Sequence, residues 1–382
     1  MLFKDIIGQE FIKNHLTTSV DRGRVAHAQL FVGGAGNGVL PMAIAYAQYV
    51  VCGNKNGENT QGNSSCNLKF DHLSHPDIHF AYPVATTDKI KSHPVSAHFA
   101  KEWRSFISSN PYGNVYDWHQ HIGIEKKQGQ IGVDEALDIV KALSLKSYEG
   151  GFKIMIIWMA DKMNIAASNK LLKLIEEPPN KTVFILIAEN EDQILETIKS
   201  RCQVLNFPPL GQNAVKNALI AKEGCDANLA QKIAHQAHGD YNAAMHLLQH
   251  DGEEEQFETW FISWVRTAFK ARGNKKAILD LISWSETIAG MGRETQKGFL
   301  KYCEDFFRQA MLLNYSAESL VYLVPVTKFD LSKFAPFVHG MNIIEIVDEL
   351  QVASYHIERN GNAKIILTDL SIKLTRLLHK KE

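Results

Sequence analysis

A chain of 382 residues is long enough for two or three domains with sizeable cores. Its 45% hydrophobic and 22% charged residues are an ordinary globular composition, and a formal net charge of −1 excludes a nucleic-acid binder driven by bulk positive charge, leaving only a local patch for such contact. The opening MLFKDIIGQEFIKNHL does not read as a signal peptide, and no run of about 18 apolar residues suits a membrane span.

In chain order, Ile6, Ile7, Phe11, Ile12 and Leu16 recur at helical spacing across residues 5–21. The apolar run Ala28–Val32 ends in the glycine cluster Gly33-Gly34-Ala35-Gly36-Asn37-Gly38, and an apolar segment of helical length, Leu40 to Val51, follows. Strand, glycine loop and helix is the layout of a phosphate-binding loop, and an ordinary glycine turn shares it. Residues 53–66 are polar, rich in Asn and Gly, and read as a loop. Residues 76–130 contain Pro76, Pro83, Pro94 and Pro111 and the aromatic patch Trp103, Phe106, Tyr112 and Trp118. They read as an irregular insertion with short helices.

From Val133, the residues Ala136, Leu137, Val140 and Leu143 line one helical face. Phe152–Ile157 and Thr182–Ala188 are short apolar runs of the kind buried on both faces of a parallel sheet. Between them a helix spans Ile165–Glu177, with Ile165, Ser168, Leu172 and Ile175 on one face, and Pro178-Pro179 stops it. A further helix leads into Ser200-Arg201-Cys202, and Val204–Phe207 reads as a last short strand. This alternation predicts an α/β core with a parallel sheet over residues 1–208. Beyond Pro208-Pro209 the pattern is helical: a small bundle over 209–252, then longer amphipathic helices over 253–382, including Ile343–His356 and Ala363–Leu378. The apolar stretch 319–326 is the one strand candidate there.

Gly33 and Gly38 have the spacing of a Walker A loop, but Val39 and Leu40 stand where that motif needs a lysine for the phosphates and a hydroxyl for Mg²⁺. The strand at 152–157 runs into Trp158-Met159, where a Walker B strand carries its two carboxylates, and Asp161 comes three positions late. Further on, Asn169-Lys-Leu-Leu-Lys-Leu-Ile-Glu-Glu-Pro-Pro179 is followed about twenty residues later by Ser200-Arg201-Cys202.

Those two elements, in this order and at this spacing, resemble the bacterial AAA+ clamp-loader subunits of the gamma and delta-prime kind. Ile7-Gly8-Gln9 and His27-Ala-Gln-Leu-Phe31 extend the resemblance to the amino end, and Ile357-Glu-Arg-Asn-Gly-Asn-Ala-Lys-Ile-Ile-Leu is the best match in the last third. The resemblance implies an AAA+ P-loop core over 1–208, a helical lid over 209–252 and an all-α oligomerisation collar over 253–382. It gives Arg201, with Ser200 and Cys202, the role of an arginine finger that touches ATP held by a neighbour. An arginine suits that role through its permanent charge and planar fork. On residues alone, a surface salt bridge would explain Arg201 as well.

The lid of active members carries a sensor arginine; here Gly239-Asp-Tyr-Asn242-Ala-Ala244 has Asn242 in its place. Three altered nucleotide elements with Arg201 kept point to the delta-prime kind: a non-hydrolysing stator in a hetero-oligomer with gamma/tau and delta subunits, cytoplasmic, acting in DNA replication. Such a subunit holds no cofactor, and its neighbour holds ATP and Mg. The sliding clamp and primed DNA are reached through the complex, and no membrane is involved. Two rival readings remain: an active gamma-like ATPase using Asp161 or Glu191, and an AAA-like nucleic-acid adaptor whose contacts lie in 76–130. Lys170 and Lys173 face the central chamber in the family, although a solvated helix face explains them more simply.

The five cysteines (Cys52, Cys66, Cys202, Cys225, Cys303) are odd in number and scattered, which points to reduced thiols. The family often has a four-cysteine zinc module near this point. Cys52 and Cys66 are its only remnants here, because Thr60 and Asn63 hold the other two places. His72 and His75 would complete a four-ligand set only at unusual spacing. No metal is therefore expected. The histidines at 72, 75, 79, 93, 98, 119 and 121 have no regular ligand spacing.

Overall fold

The computed structural model describes the chain apart from residues 54–63, 125–126, 149–150, 250–252, 322, 324, 326, 328 and 381–382. It divides into two compact units, 1–249 and 250–382.

The first unit runs α1 (Glu10–Asp21), β1 (Ala28–Val32), α2 (Val39–Cys52), α3 (Ser64–Asp71), β2 (Ile78–Ala81), α4 (Ala100–Ser109), α5 (Val115–His121), α6 (Val133–Ser144), β3 (Lys153–Ile157), α7 (Ile165–Glu176), β4 (Thr182–Ala188), α8 (Glu196–Lys199), β5 (Gln203–Asn206), α9 (Gln212–Glu223), α10 (Ala227–Gln236) and α11 (Tyr241–Gln249). All five strands are parallel, in the order β2-β3-β4-β1-β5, with Leu30 opposite Leu186 and Met155 opposite Phe184. Successive residues of a strand face opposite sides. Leu30, Met155, Ile157, Phe184 and Leu186 therefore meet α6 and α7, while Phe31, Ile154, Ile156 and Ile185 meet α2 and its surroundings.

α2 explains the segment that follows it. Every residue but Val51 is buried, so this helix is apolar all round and needs cover on the side away from the sheet. Residues 76–130 supply that cover, and they are less irregular than the sequence suggests. They contain the edge strand β2, a ten-residue helix α4, and an antiparallel bridge between Val84 and Gln130. The aromatic patch is an interior cluster: Trp103 stacks on Tyr82 at 4.1 Å and meets Trp118 edge-on at 5.2 Å. β2 was missed because four residues between Pro76 and Pro83 carry too little periodicity to register as a strand.

Two helix faces are shifted from expectation. In α6 the buried stripe is Glu135, Ala136, Ile139 and Leu143, and Leu137 is 47% exposed. In α7 it is Ala167, Ser168, Leu171 and Ile175, and Ile165 is 70% exposed. Ala136 and Leu143, and Ser168 and Ile175, lie on the buried faces as expected, while Glu135 and Ile139 replace Leu137 and Val140, and Ala167 and Leu171 replace Ile165 and Leu172, a turn of about one residue. Phe11 is likewise exposed on α1, while Ile12 and Leu16 are buried.

The expectation of five free thiols is corrected. Cys52 ends α2 and Cys66 lies in the first turn of α3, and packing of these helices brings their Cα atoms to 5.8 Å and joins the pair as a disulfide. Cys202, Cys225 and Cys303 are free. The two residual zinc candidates are thus bonded to each other, and positions 60 and 63 lie outside the described residues. Among the described residues no group of three His, Cys, Asp or Glu side chains is placed to hold a metal, and no helix is long and apolar enough to cross a membrane.

The second unit is helical among the described residues: α12 (Glu253–Lys270), α13 (Lys275–Ala289), α14 (Arg293–Asn314), α15 (Leu331–Phe334), α16 (Ile343–Glu358) and α17 (Ala363–Leu377). Its core gathers Phe261, Trp264, Phe299, Phe306, Leu350 and Leu374. The strand candidate at 319–326 is not a strand among its described residues. Glu318–Leu320 is a single 3₁₀ turn, and Leu323 packs on the helical core.

Candidate functional site

The loop between β1 and α2 has the backbone of a phosphate cradle. Gly38 sits at φ +85°, a left-handed conformation that costs an L side chain about 1–2 kcal/mol, and from it the chain enters α2. The side chains that would handle phosphate are absent: Val39 and Leu40 are buried in the core at 1% and 2% exposure.

Protein groups occupy the cradle. A Cβ placed on Gly36 would fall 1.6 Å from Asp240 Oδ1, so the Asp240 carboxylate lies directly on the loop. Asp240 immediately precedes α11 and accepts the Ala243 N–H at 2.9 Å, as a helix cap does. The Ala35 N–H is donated to the carboxylate of Glu189, just past β4. Asn37 Nδ2 donates to the Phe207 carbonyl at 3.1 Å. Gln9, in the Ile7-Gly8-Gln9 opening, donates from Nε2 to the carbonyls of Asn37 (3.1 Å) and Pro208 (2.7 Å).

The electrostatics are the reverse of those that attract a nucleotide. Desolvation and the neighbouring charges of Asp161 and Asp240 hold the Glu189 carboxyl above its usual range, and burial raises Asp240. Asp161 itself is buried, and Lys162 pairs with it at 3.0 Å. Glu191, the other carboxylate of the ATPase reading, pairs with Lys199 at 3.2 Å. At the Walker B position Trp158 turns into the aromatic cluster, 5.2 Å from Trp103, and Met159 follows in a left-handed turn at φ +57°.

The lid side is sealed by residues 76–130. Tyr112 lies against Gly38, where an added Cβ would come within 3.1 Å of its ring. Its hydroxyl accepts the buried Ile7 N–H at 2.9 Å, and its ring meets Tyr241 of α11 edge-on at 5.0 Å. Asn242, in the sensor position, is 3% exposed; it donates to Asp117 at 2.8 Å and accepts from Asn110 at 3.3 Å. His246 reaches the other oxygen of Asp117 at 3.0 Å. Burial alone would raise the Asp117 carboxyl, but His246, the Asn114 N–H and Asn242 together hold it below its ordinary value. Glu189 and Asp117 were not singled out from the sequence; Tyr112 figured there only as part of an aromatic patch, and Asp240 only within the Gly239–Ala244 run. Only Asp240 left a signal there, as the capping residue of Gly-Asp-Tyr-Asn.

Arg201 is far from this arrangement. The Ser200-Arg201-Cys202 turn precedes β5, whereas the glycine loop follows β1, and the two strands are parallel neighbours. Arg201 therefore stands at the opposite end of the sheet, about 13 Å away for four strand residues. Its guanidinium donates to the Thr197 carbonyl at 2.8 Å and pairs at 3.1 Å with Glu176, the first glutamate of Glu-Glu-Pro-Pro. Ser200 Oγ donates to the same Thr197 carbonyl at 3.4 Å, and burial pushes the Cys202 thiol up to about 11. Lys170 and Lys173 are exposed on α7.

A five-stranded parallel sheet in the order 5-1-4-3-2, with a glycine loop after the interior strand β1 and a three-helix lid after β5, defines the AAA+ P-loop class. Within that class, the family model described as DNA polymerase III, delta subunit, matches residues 8–211, more than half of the chain, and the chain belongs to this family. It is 29% identical over 208 residues to DNA polymerase III subunit delta′ of Bacillus subtilis, covering 54% of this chain and 50% of that protein. It is 25% identical over 253 residues to DNA polymerase III subunit gamma of Buchnera aphidicola, covering 65% and 58%. The chain thus spans about half the length of the curated relatives it matches. Among solved structures it is similar to a gamma subunit-related protein of Thermotoga maritima, at 13% identity and a TM-score of 0.39, covering 95% of this chain and 100% of that one. These relatives make it a delta-prime-like relative of the clamp-loader subunits.

Proposed function

We propose that this chain is a non-hydrolysing, delta-prime-like stator subunit of a replicative clamp loader in the cytoplasm. It lends Arg201 to ATP bound by a neighbouring gamma/tau subunit, in an assembly with delta that places a sliding clamp on primed DNA. One observation carries the reading: the loop is filled by the protein itself, with the Ala35 N–H donated to Glu189 and the Asp240 carboxylate lying on Gly36, while Arg201 stands at the far end of the sheet from it. Three lines of donor geometry fit that use. The Glu176 pair is partly exposed and therefore weak, the Nε of Arg201 has no partner, and the planar fork can engage two phosphate oxygens at once. The chain holds no nucleotide or metal of its own in this reading, and ATP and Mg²⁺ belong to the neighbour.

The test is ATP turnover of the loader reconstituted from this chain with gamma/tau and delta, in the presence of clamp and primed DNA. The expected result is an inactive isolated chain and a fall in turnover of two orders of magnitude or more on Arg201→Ala, with the complex still assembling on a sizing column. Hydrolysis by the isolated chain would favour the gamma-like reading. Unchanged turnover in an assembled Arg201→Ala complex would remove the finger.

A further inference from the structure

The second unit carries a groove that the proposal above does not use. It is a cavity of about 420 Å³ between α12, the segment 329–337 and the end of α17. Its walls are apolar: Val265, Phe269, Phe329, Phe334, Phe337 and Leu378. Two of these rings reach solvent, Phe269 at 43% and Phe337 at 39% exposure, and they meet edge-on at 5.0 Å. His379 stacks on Phe269 at 4.6 Å and stiffens that wall.

The rim has a net positive charge, from Arg266, Lys270 and Lys333 against Asp330. Arg266 and Lys270 lie four residues apart on α12, on one face, and both are exposed. Among the described residues neither has an acidic partner. Arg266 instead lies over the Phe329 ring at 5.8 Å. Asp330, the carboxylate at the rim, is already engaged: it pairs with Lys333 at 3.1 Å and accepts the Ser332 N–H at 3.1 Å.

We propose that this groove is a docking site for an acidic peptide segment with an apolar or aromatic anchor. The anchor enters between Phe269 and Phe337, and carboxylates about one helical turn apart meet Arg266 and Lys270. A pocket of this volume takes one or two large side chains. Nucleic acid fits less well, because a polyphosphate strand gains affinity from a row of cations and here only two are unpaired, beside a carboxylate. Exposed aromatic surface beside a net positive rim is a usual form of recognition site for an acidic partner.

The test uses the full chain and a fluorescein-labelled peptide in which Leu-Phe is flanked on each side by three Asp or Glu residues, read by anisotropy. Expected are saturable binding in the micromolar range, weakening with added salt, and a loss of about tenfold or more for R266E/K270E. A peptide with Ser-Ser in place of Leu-Phe should lose affinity similarly, and one with lysines for its acids should not bind. Both substituted side chains are exposed, so an unchanged melting curve separates lost binding from lost fold. The proposal is overturned if the acidic peptide does not saturate, or if R266E/K270E binds it as well as the native chain. It is also overturned if a single-stranded oligonucleotide binds in place of the peptide, or if the charge reversal abolishes self-association of this chain. None of these outcomes depends on Arg201 or on ATP turnover.

Discussion

Replacing Gly36 by alanine tests the packing that closes the glycine loop. The new methyl carbon would lie 1.6 Å from Asp240 Oδ1, 2.4 Å from its Cγ and 2.9 Å from the backbone nitrogen of Tyr241. The carboxylate can swing away only by giving up the Ala243 N–H, and the Tyr241 backbone cannot swing at all. Overpacking of this kind costs about 1–3 kcal/mol and the lost cap about 1 kcal/mol, so Gly36→Ala should destabilise the first unit by roughly 2–4 kcal/mol. At about 2–4 °C per kcal/mol for a unit of this size, its melting temperature falls by roughly 4–16 °C. Thermal and urea unfolding followed by circular dichroism measure this. Gly151→Ala is the control, since its added Cβ meets no atom within 4 Å. Asp240→Ala relieves the clash, so the double variant should be more stable than the sum of the single losses predicts, by about 1 kcal/mol or more. If Gly36→Ala melts with Gly151→Ala, or the two changes add, the carboxylate does not sit on the loop and the argument for a filled cradle fails.

Three other outcomes follow from single contacts. Tyr112→Phe deprives the buried Ile7 N–H of its acceptor and should cost about 1–3 kcal/mol, with faster hydrogen exchange at the Ile7 amide. Glu135 is 4% exposed, and burial pushes its carboxyl up to about 7 from an ordinary 4.5. The folded chain therefore holds this proton more tightly than the unfolded one: its contribution is fully present below about pH 4.5 and is lost as pH rises through 7. Glu135→Gln should match the native chain in acid and gain on it by up to about 3 kcal/mol by pH 8, measured as unfolding free energy across that window. Titration of thiols in denaturant should find three without reductant and five with it; five in both would break the Cys52–Cys66 assignment.

How much of this was legible in the sequence depends on how local the cause is. Thr182–Ala188 and Ala28–Val32 were readable as buried strands because a strand covered on both faces needs no partner's identity to be apolar throughout. The replacement of a lysine, a hydroxyl and a carboxylate by Val39, Leu40 and Trp158 was readable because a motif fixes what each position must be. Asp240 on Gly36 and Tyr112 on Ile7 were not, because the contacting residues lie more than 100 positions apart and nothing in either segment names the other. The disulfide failed for a related reason. The spacing of Cys52 and Cys66 suggested a worn metal knuckle, and only the packing of α2 on α3 shows that the two sulfurs meet.

The manner in which the site is altered bears on what it is for. Loss of a lysine alone would leave the loop's backbone N–H groups free, and such a loop at a helix start still attracts anions. Here the vacated volume is taken by side chains that also join lid to core: Asp240 caps α11 while lying on Gly36, Tyr112 touches both Gly38 and Tyr241, and Asn242 binds Asp117. In an AAA+ motor the nucleotide bridges these parts, so their relation changes as it is hydrolysed. Side chains that make the bridge permanently remove that dependence. A lysine restored at position 39 would have to put its charge into an apolar core site that is now 1% exposed, after a loop already filled by Glu189 and Asp240. Opening the loop therefore requires several coupled changes, each breaking a contact that now ties α11 or Tyr112 to it.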